Sequence, residues 1–151
     1  MKEYSDLKKF EGFGQWNDTD LKGFIEYFEE KLFKVNEIIV NEQSEGQELF
    51  LLVDGKVRVE REVMGEDQTL KILEKGELFG EMSLFDNYPR SATVRSFEDS
   101  KLLIMERKGY DKLRKEKPDL ANKFLELVIQ TLSMRLRQTN KNLEILSLWL
   151  I

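Results

Sequence analysis

Residues 79–94 read Phe79-Gly80-Glu81-Met82-Ser83-Leu84, then Phe85-Asp86-Asn87-Tyr88, then Pro89-Arg90-Ser91-Ala92-Thr93-Val94. Gly80 lets the backbone approach a ligand closely, and a short helical turn over Glu81, Met82, Ser83 and Leu84 aims unpaired N–H groups at an anion. Pro89 restricts its own backbone and that of Tyr88, which fixes the approach to Arg90. The guanidinium of Arg90 can then fork onto two phosphate oxygens. The chemistry on offer is anion binding. The competing reading is an Arg90–Glu81 salt bridge that only closes a loop, an arrangement contributing about 0–1 kcal/mol when exposed.

Catalysis finds little material elsewhere. The 151 residues include no cysteine and no histidine. Disulfides, thiol nucleophiles, iron–sulfur ligation and thiolate or imidazole metal sites are thereby removed, along with the commonest general acid and base. No nucleophile–base pair is found, so we expect no catalytic residues, no metal ligands and no cofactor. Lys and Arg total 24 against 29 Asp and Glu, a net charge of −5. That balance opposes binding to polyanions, and nucleic acid is not an expected partner. No window approaches the roughly 18 apolar residues of a membrane span, and the charged stretch Met1 to Phe10 does not read as a signal peptide. A cytoplasmic protein is expected.

The elements that must position the anion-binding stretch fall into three parts. Residues 1–31 form an N-terminal helical segment in which Leu21, Phe24, Ile25, Phe28 and, just beyond it, Leu32 recur at helical spacing behind an Asn17 to Asp20 cap. The preceding Phe10, Phe13 and Trp16 are expected in the core. Residues 32–117 carry short β-branched and aromatic runs: Ile38 to Val40, Leu49 to Val53, Val57 to Val63, Leu70 to Leu73, Ala92 to Val94 and Leu102 to Met105. Val57 and Val59, with Arg61 next in series, alternate against Arg58, Glu60 and Glu62 as in a sheet with one wet face. Turns are expected at Asp54-Gly55 and Gly65-Glu66-Asp67. Many short strands at close spacing argue for a closed roll or jelly roll, mainly β with flanking helices, whose core includes Ile39, Phe50, Leu52, Val57, Phe79 and Leu103.

From Pro118 to residue 151 no Gly or Pro interrupts a C-terminal helix. Its stripe of Leu125, Val128, Leu132, Leu136, Thr139, Leu143, Leu146 and Leu150 follows the 3–4 spacing of a two-stranded coiled coil. We expect a homodimer through this seam, the alternative being a helix folded back on its own roll. The terminal Ser147-Leu148-Trp149-Leu150-Ile151 reads as a docking surface, a dimer contact or the cut end of a longer chain.

The stretch 79–94 resembles the phosphate-binding cassette of the cyclic nucleotide-binding domain family. The similarity runs from Leu32 to Asn142 and includes Glu37-Ile38-Ile39, Gly55-Lys56-Val57 and Gly76-Glu77 in the family order. Two positions depart from it: Asn36 and Gln43 stand where the family commonly has glycine. The resemblance implies an eight-stranded antiparallel β-roll with an N-terminal helix and a long C-terminal helix. It implies a ligand, cAMP or cGMP, whose cyclic phosphate meets Arg90 and whose ribose 2′-hydroxyl meets Glu81. The backbone N–H groups of Gly80, Met82, Ser91 and Ala92 would complete the cradle, with the Ser91 hydroxyl a further contact. The stretch Arg135 to Asn140 is similar to a segment of the catabolite activator protein group that reaches the base. On that likeness Thr139 and Asn140 contact the purine edge; otherwise they are solvated helix positions. The same group carries a DNA-binding helix-turn-helix, and this chain ends at Ile151 before one begins. The implied function is a sensor module that signals to a protein partner through its C-terminal helix. A dimerisation scaffold that has lost its ligand is the alternative.

Overall fold

The computed structural model of the chain describes residues 7, 8 and 11–149. Phe10, Leu150, Ile151 and most of the stretch Met1 to Phe10 lie outside the described residues. Helix α1 (Asp18–Ile25) starts where its sequence says it should: the Asn17 side chain accepts from the Asp20 N–H at 2.7 Å and Asp20 reaches back, a reciprocal capping box. It ends earlier than its apolar spacing suggests. Glu29–Phe33 is instead strand β1, in which Phe33 is buried and Leu32 is 68 % exposed. A spacing of four residues fits one face of a helix and one face of a strand alike, and pairing with β8 decided between them.

The remaining strands are β2 (Ile38–Val40), β3 (Leu49–Asp54), β4 (Val57–Val63), β5 (Glu66–Leu73), β6 (Leu78–Phe79), β7 (Thr93–Ser96) and β8 (Ser100–Met105). They make two four-stranded antiparallel sheets, ordered β1-β8-β3-β6 and β2-β7-β4-β5. The chain crosses between the sheets repeatedly, which builds a roll around Phe33, Phe50, Leu52, Val57, Leu73, Phe79, Val94 and Leu102. Ile39 packs at its edge. Leu103 does not belong there, because β3 and β8 are covered on both faces. Leu49, Leu51, Leu103 and Met105 point to the helical side, where they meet Phe13, Trp16, Phe24, Leu113 and Phe124. A strand buried on both faces reads as a continuous apolar run, as Leu49 to Leu52 does.

The wet face of β4 carries one exception to its alternation. Glu60 is 3 % exposed, covered by Arg58 and Arg95, each 2.9 Å from its carboxylate. The β4–β5 turn centres on Met64-Gly65, one residue before the expected position, and both have positive φ as a two-residue type I′ hairpin requires. Helix α2 (Glu81–Phe85) lies between β6 and β7, and α3 (Arg107–Glu116) leads into α4 (Pro118–Trp149). Pro118 opens α4 with a ring pre-set for helical φ, and Asp119 complements the helix dipole. At 32 residues α4 is about 48 Å long at 1.5 Å per residue. Among the described residues, no helix is long and apolar enough to cross a membrane.

Candidate functional site

Gly80 ends β6 in the left-handed conformation, φ +80°. A Cβ there would lie 2.6 Å from the Glu48 carbonyl oxygen and 2.9 Å from Arg90 Nη1, so both backbone shape and space demand glycine. The α2 turn that follows is held from below by its buried Leu84, whose carbonyl accepts from Arg107 Nη1 at 3.0 Å. At the far end of the loop Gln47 donates to the Asn87 side chain at 2.9 Å.

Arg90 is 5 % exposed. Its main chain is clamped on both sides, the N–H donating to Ser44 O at 2.9 Å and the carbonyl accepting from Gln43 N–H at 2.8 Å. Gln43 has φ +66° and Asn36 φ +71°, so the two positions that depart from glycine keep a left-handed backbone. Arg90 Nη2 donates to the Glu48 carboxylate at 2.8 Å and to its carbonyl at 3.1 Å. The guanidinium also sits 5.7 Å from the Phe50 ring, which stacks on Phe79. Nη1 is buried and has no hydrogen-bond partner among the described residues. A buried charged donor left unsatisfied costs more than about 1–3 kcal/mol, so this nitrogen marks where an acceptor fits.

Glu81 is 2 % exposed, and its carboxylate accepts from Arg135 Nη1 of α4. Arg135 Nη2 donates in turn to Leu78 O at 3.1 Å. The loop-closing Arg90–Glu81 bridge is therefore not what forms: Arg90 pairs with Glu48, and Glu81 with Arg135. Beyond Arg90, the Ser91 carbonyl accepts from Arg61 at 3.0 and 3.2 Å, and Thr93 Oγ1 accepts from Glu42 N–H at 2.9 Å.

These groups line an open cavity of about 240 Å³, just under the roughly 300–1,000 Å³ of small-molecule sites. Gly80, Glu81, Met82, Ser83, Arg90, Ser91 and Ala92 all line it, together with Arg135 and, from the sheet, Val59, Lys71 and Leu73. Thr139 and Asn140 are exposed one turn further along α4 and do not line it within one chain. Thr139 Oγ1 donates to the Arg135 carbonyl at 2.9 Å. A hollow of about 920 Å³ also reaches Arg90, and its edge carries Glu26, Glu29, Glu45, Glu48, Glu106 and Glu116 against Lys108 and Lys112. That carboxylate rim suits an anion poorly.

Sequence reasoning missed Glu48, Arg61, Lys71 and Arg135 as members of the site. Arg135 had a usable signal, standing four residues before Thr139 on the same helix face. Glu48 had none, because its link to Arg90 spans 42 positions.

Residues 30–117 match the family model described as the cyclic nucleotide-binding domain. The chain is 38 % identical over 124 residues to the cyclic AMP receptor protein of Thermus thermophilus, covering 82 % of this chain and 56 % of that protein. It is 33 % identical over 119 residues to cGMP-dependent protein kinase 2 of Mus musculus, covering 77 % of this chain and 16 % of the kinase. The crystal structure of the Thermus thermophilus catabolite activator protein superposes with a TM-score of 0.77 at 35 % identity, over 90 % of this chain and 62 % of that one. A cyclic nucleotide-binding domain from Methylobacillus flagellatus shares the fold with a TM-score of 0.80 at 24 % identity, over 92 % and 79 %. The chain thus spans about half the length of the curated regulator it matches.

Proposed function

This chain belongs to the cyclic nucleotide-binding domain family, and from that premise we propose that it is a regulatory, non-catalytic sensor that takes a cyclic purine nucleotide, cAMP or cGMP, into the cavity behind Gly80. The observation that carries the reading is the buried Arg90 guanidinium with one nitrogen unsatisfied beside a glycine that leaves room for an anion. A cyclic phosphate carries a single negative charge, which one guanidinium and the amides of Gly80, Met82, Ser91 and Ala92 can neutralise and hydrogen-bond. Ser83 and the Ser91 hydroxyl lie close enough to contribute at the cavity wall.

Glu81 accepts from the ribose 2′-hydroxyl in this reading, and the same carboxylate is the partner of Arg135. Occupancy therefore bears on α4: a ribose hydroxyl at Glu81 competes with or rearranges the Arg135 contact. The bare distal half of α4, with Leu136, Leu143 and Leu146 each more than half exposed, favours a homodimer seam and a surface for a protein partner. In such a dimer Thr139 and Asn140 reach a base from the neighbouring subunit.

Calorimetric titration of the purified, ligand-stripped protein tests the binding step. Cyclic AMP or cyclic GMP is expected to bind more tightly than linear 5′-AMP, whose dianionic phosphate exceeds what one guanidinium matches. Equal affinities for cyclic and linear nucleotides would overturn the assignment.

A further inference from the structure

The two amides that follow Arg90 lie outside any helix or ladder. Helix α2 ends at Phe85 and β7 begins at Thr93, so Ser91 and Ala92 are held by something other than regular structure. Ser91 is exposed and Ala92 half-buried, which leaves little packing to fix them. Among the described residues no acceptor takes either N–H. The carbonyls of the same two peptide units are tied. That of Arg90 accepts from Gln43 N–H at 2.8 Å, and that of Ser91 accepts from both Nε and Nη2 of Arg61 at 3.2 and 3.0 Å.

A peptide unit is planar and trans, so its N–H points opposite to its C=O. Tying the Arg90 carbonyl therefore sets the direction of the Ser91 N–H, and tying the Ser91 carbonyl sets that of the Ala92 N–H. Arg61 reaches there from β4, where it stands two residues beyond Val59 on the same face. Val59 lines the cavity and Arg61 does not. The fork sits between the Ser91 carbonyl and the Glu42 carboxylate, 3.8 Å away. Glu42 is fixed in turn, accepting from Glu62 N–H at 3.2 Å and donating its own N–H to Thr93 Oγ1 at 2.9 Å. A planar guanidinium places two donors on one oxygen with little freedom left to lose.

Resting on the binding reading above, we infer that Arg61 is a positioning residue: it touches no part of the nucleotide and holds the Ser91–Ala92 peptide so that the Ala92 N–H is kept ready for the cyclic phosphate. A donor oriented before the ligand arrives need not be ordered on binding, and that cost is what Arg61 removes.

The test is calorimetry on the whole chain with cyclic AMP and cyclic GMP, paired with the proton–nitrogen amide spectrum of the nucleotide-free protein. Arg61→Ala is expected to weaken both nucleotides by the same factor, about five- to tenfold, the worth of about one hydrogen bond. In the spectrum the Ala92 amide should shift and broaden while those of Gly80 and Met82 stay in place. Arg61→Lys keeps a donor for the single carbonyl oxygen and should recover affinity to within about threefold of wild type. The side chain is 51 % exposed, so both variants should fold. Wild-type affinity in Arg61→Ala overturns the role of Arg61 and leaves the binding reading standing. So does a loss confined to one nucleotide, which would make Arg61 a base contact, or a loss with the Ala92 amide unmoved, which would be attraction by charge alone. Failure of both nucleotides to bind wild type removes both readings.

Discussion

From Leu125 to Leu132 the α4 stripe packs on the core shared with α1, α3, β3 and β8, Val128 buried and Leu125 and Leu132 partly so, beside the buried Leu120, Phe124 and Leu127 of the adjoining face. From there to its end, Leu136, Leu143 and Leu146 continue the same 3–4 spacing and stand 62 %, 54 % and 53 % exposed. One stripe thus has two environments. Spacing makes an apolar face, but whether that face is covered depends on how far the rest of the domain reaches. Among the described residues, the hydrogen bonds from α4 to the roll end with Arg135, on Glu81 and Leu78. The change of environment therefore coincides with the candidate ligand site, which is where a ligand has the most leverage on the free half of the helix.

The largest expected effect separates the two halves directly. Phe124→Ala removes a fully buried ring that packs on Phe24 and Tyr110, and should cost about 3–5 kcal/mol in chemical denaturation. Replacing Leu136 and Leu143 together by lysine should change the folding stability of the single chain by about 0.5 kcal/mol or less. The same double variant should run as a monomer in light scattering. Loss of its fold would show that the distal half is covered by its own domain after all.

A middle-sized effect sharpens the boundary between the halves. Arg90→Ala should weaken nucleotide binding by about 1.5–3 kcal/mol, and Arg90→Lys should also be damaging because an ammonium lacks the planar fork. Glu81→Ala should weaken binding less, since the ribose contact is one hydrogen bond to a neutral hydroxyl. Arg135→Ala acts on the other partner of Glu81 and should lower the melting temperature of the nucleotide-free protein, because it strands a carboxylate that is 2 % exposed. Arg90 variants that bind like wild type would place the ligand elsewhere.

The smallest effect concerns the tie between α1 and the proximal half of α4. Lys123 donates to Asp20 at 2.5 Å, and this hydrogen bond holds the Asp20 carboxyl below its ordinary value of 3.8. A depressed carboxylate contributes stability that is present above its unfolded value and is lost as pH falls through the folded one. The contribution, about 0.2–1 kcal/mol for a pair at the surface, should therefore fade below about pH 4. Lys123→Met should flatten that part of the stability profile. An unchanged profile would mean that the pair adds nothing to the packing of Leu120 and Phe124.

The cassette was legible in the sequence because its logic is local: a glycine turn, a helical turn, a proline and an arginine lie within eleven residues, from Gly80 to Arg90. The length of α4 was legible for the same reason, since no Gly or Pro follows Pro118. Tertiary structure alone chose the partners. Glu48 meets Arg90 across 42 positions and Arg135 meets Glu81 across 54, and nothing in either neighbourhood names the other. Likewise Leu32 fits a helix or a strand until β8 pairs with it. Backbone preference acts over a few residues and is written in their order. Burial, charge pairing and the direction of a side chain depend on which distant segments come together, and that is settled only when the roll closes.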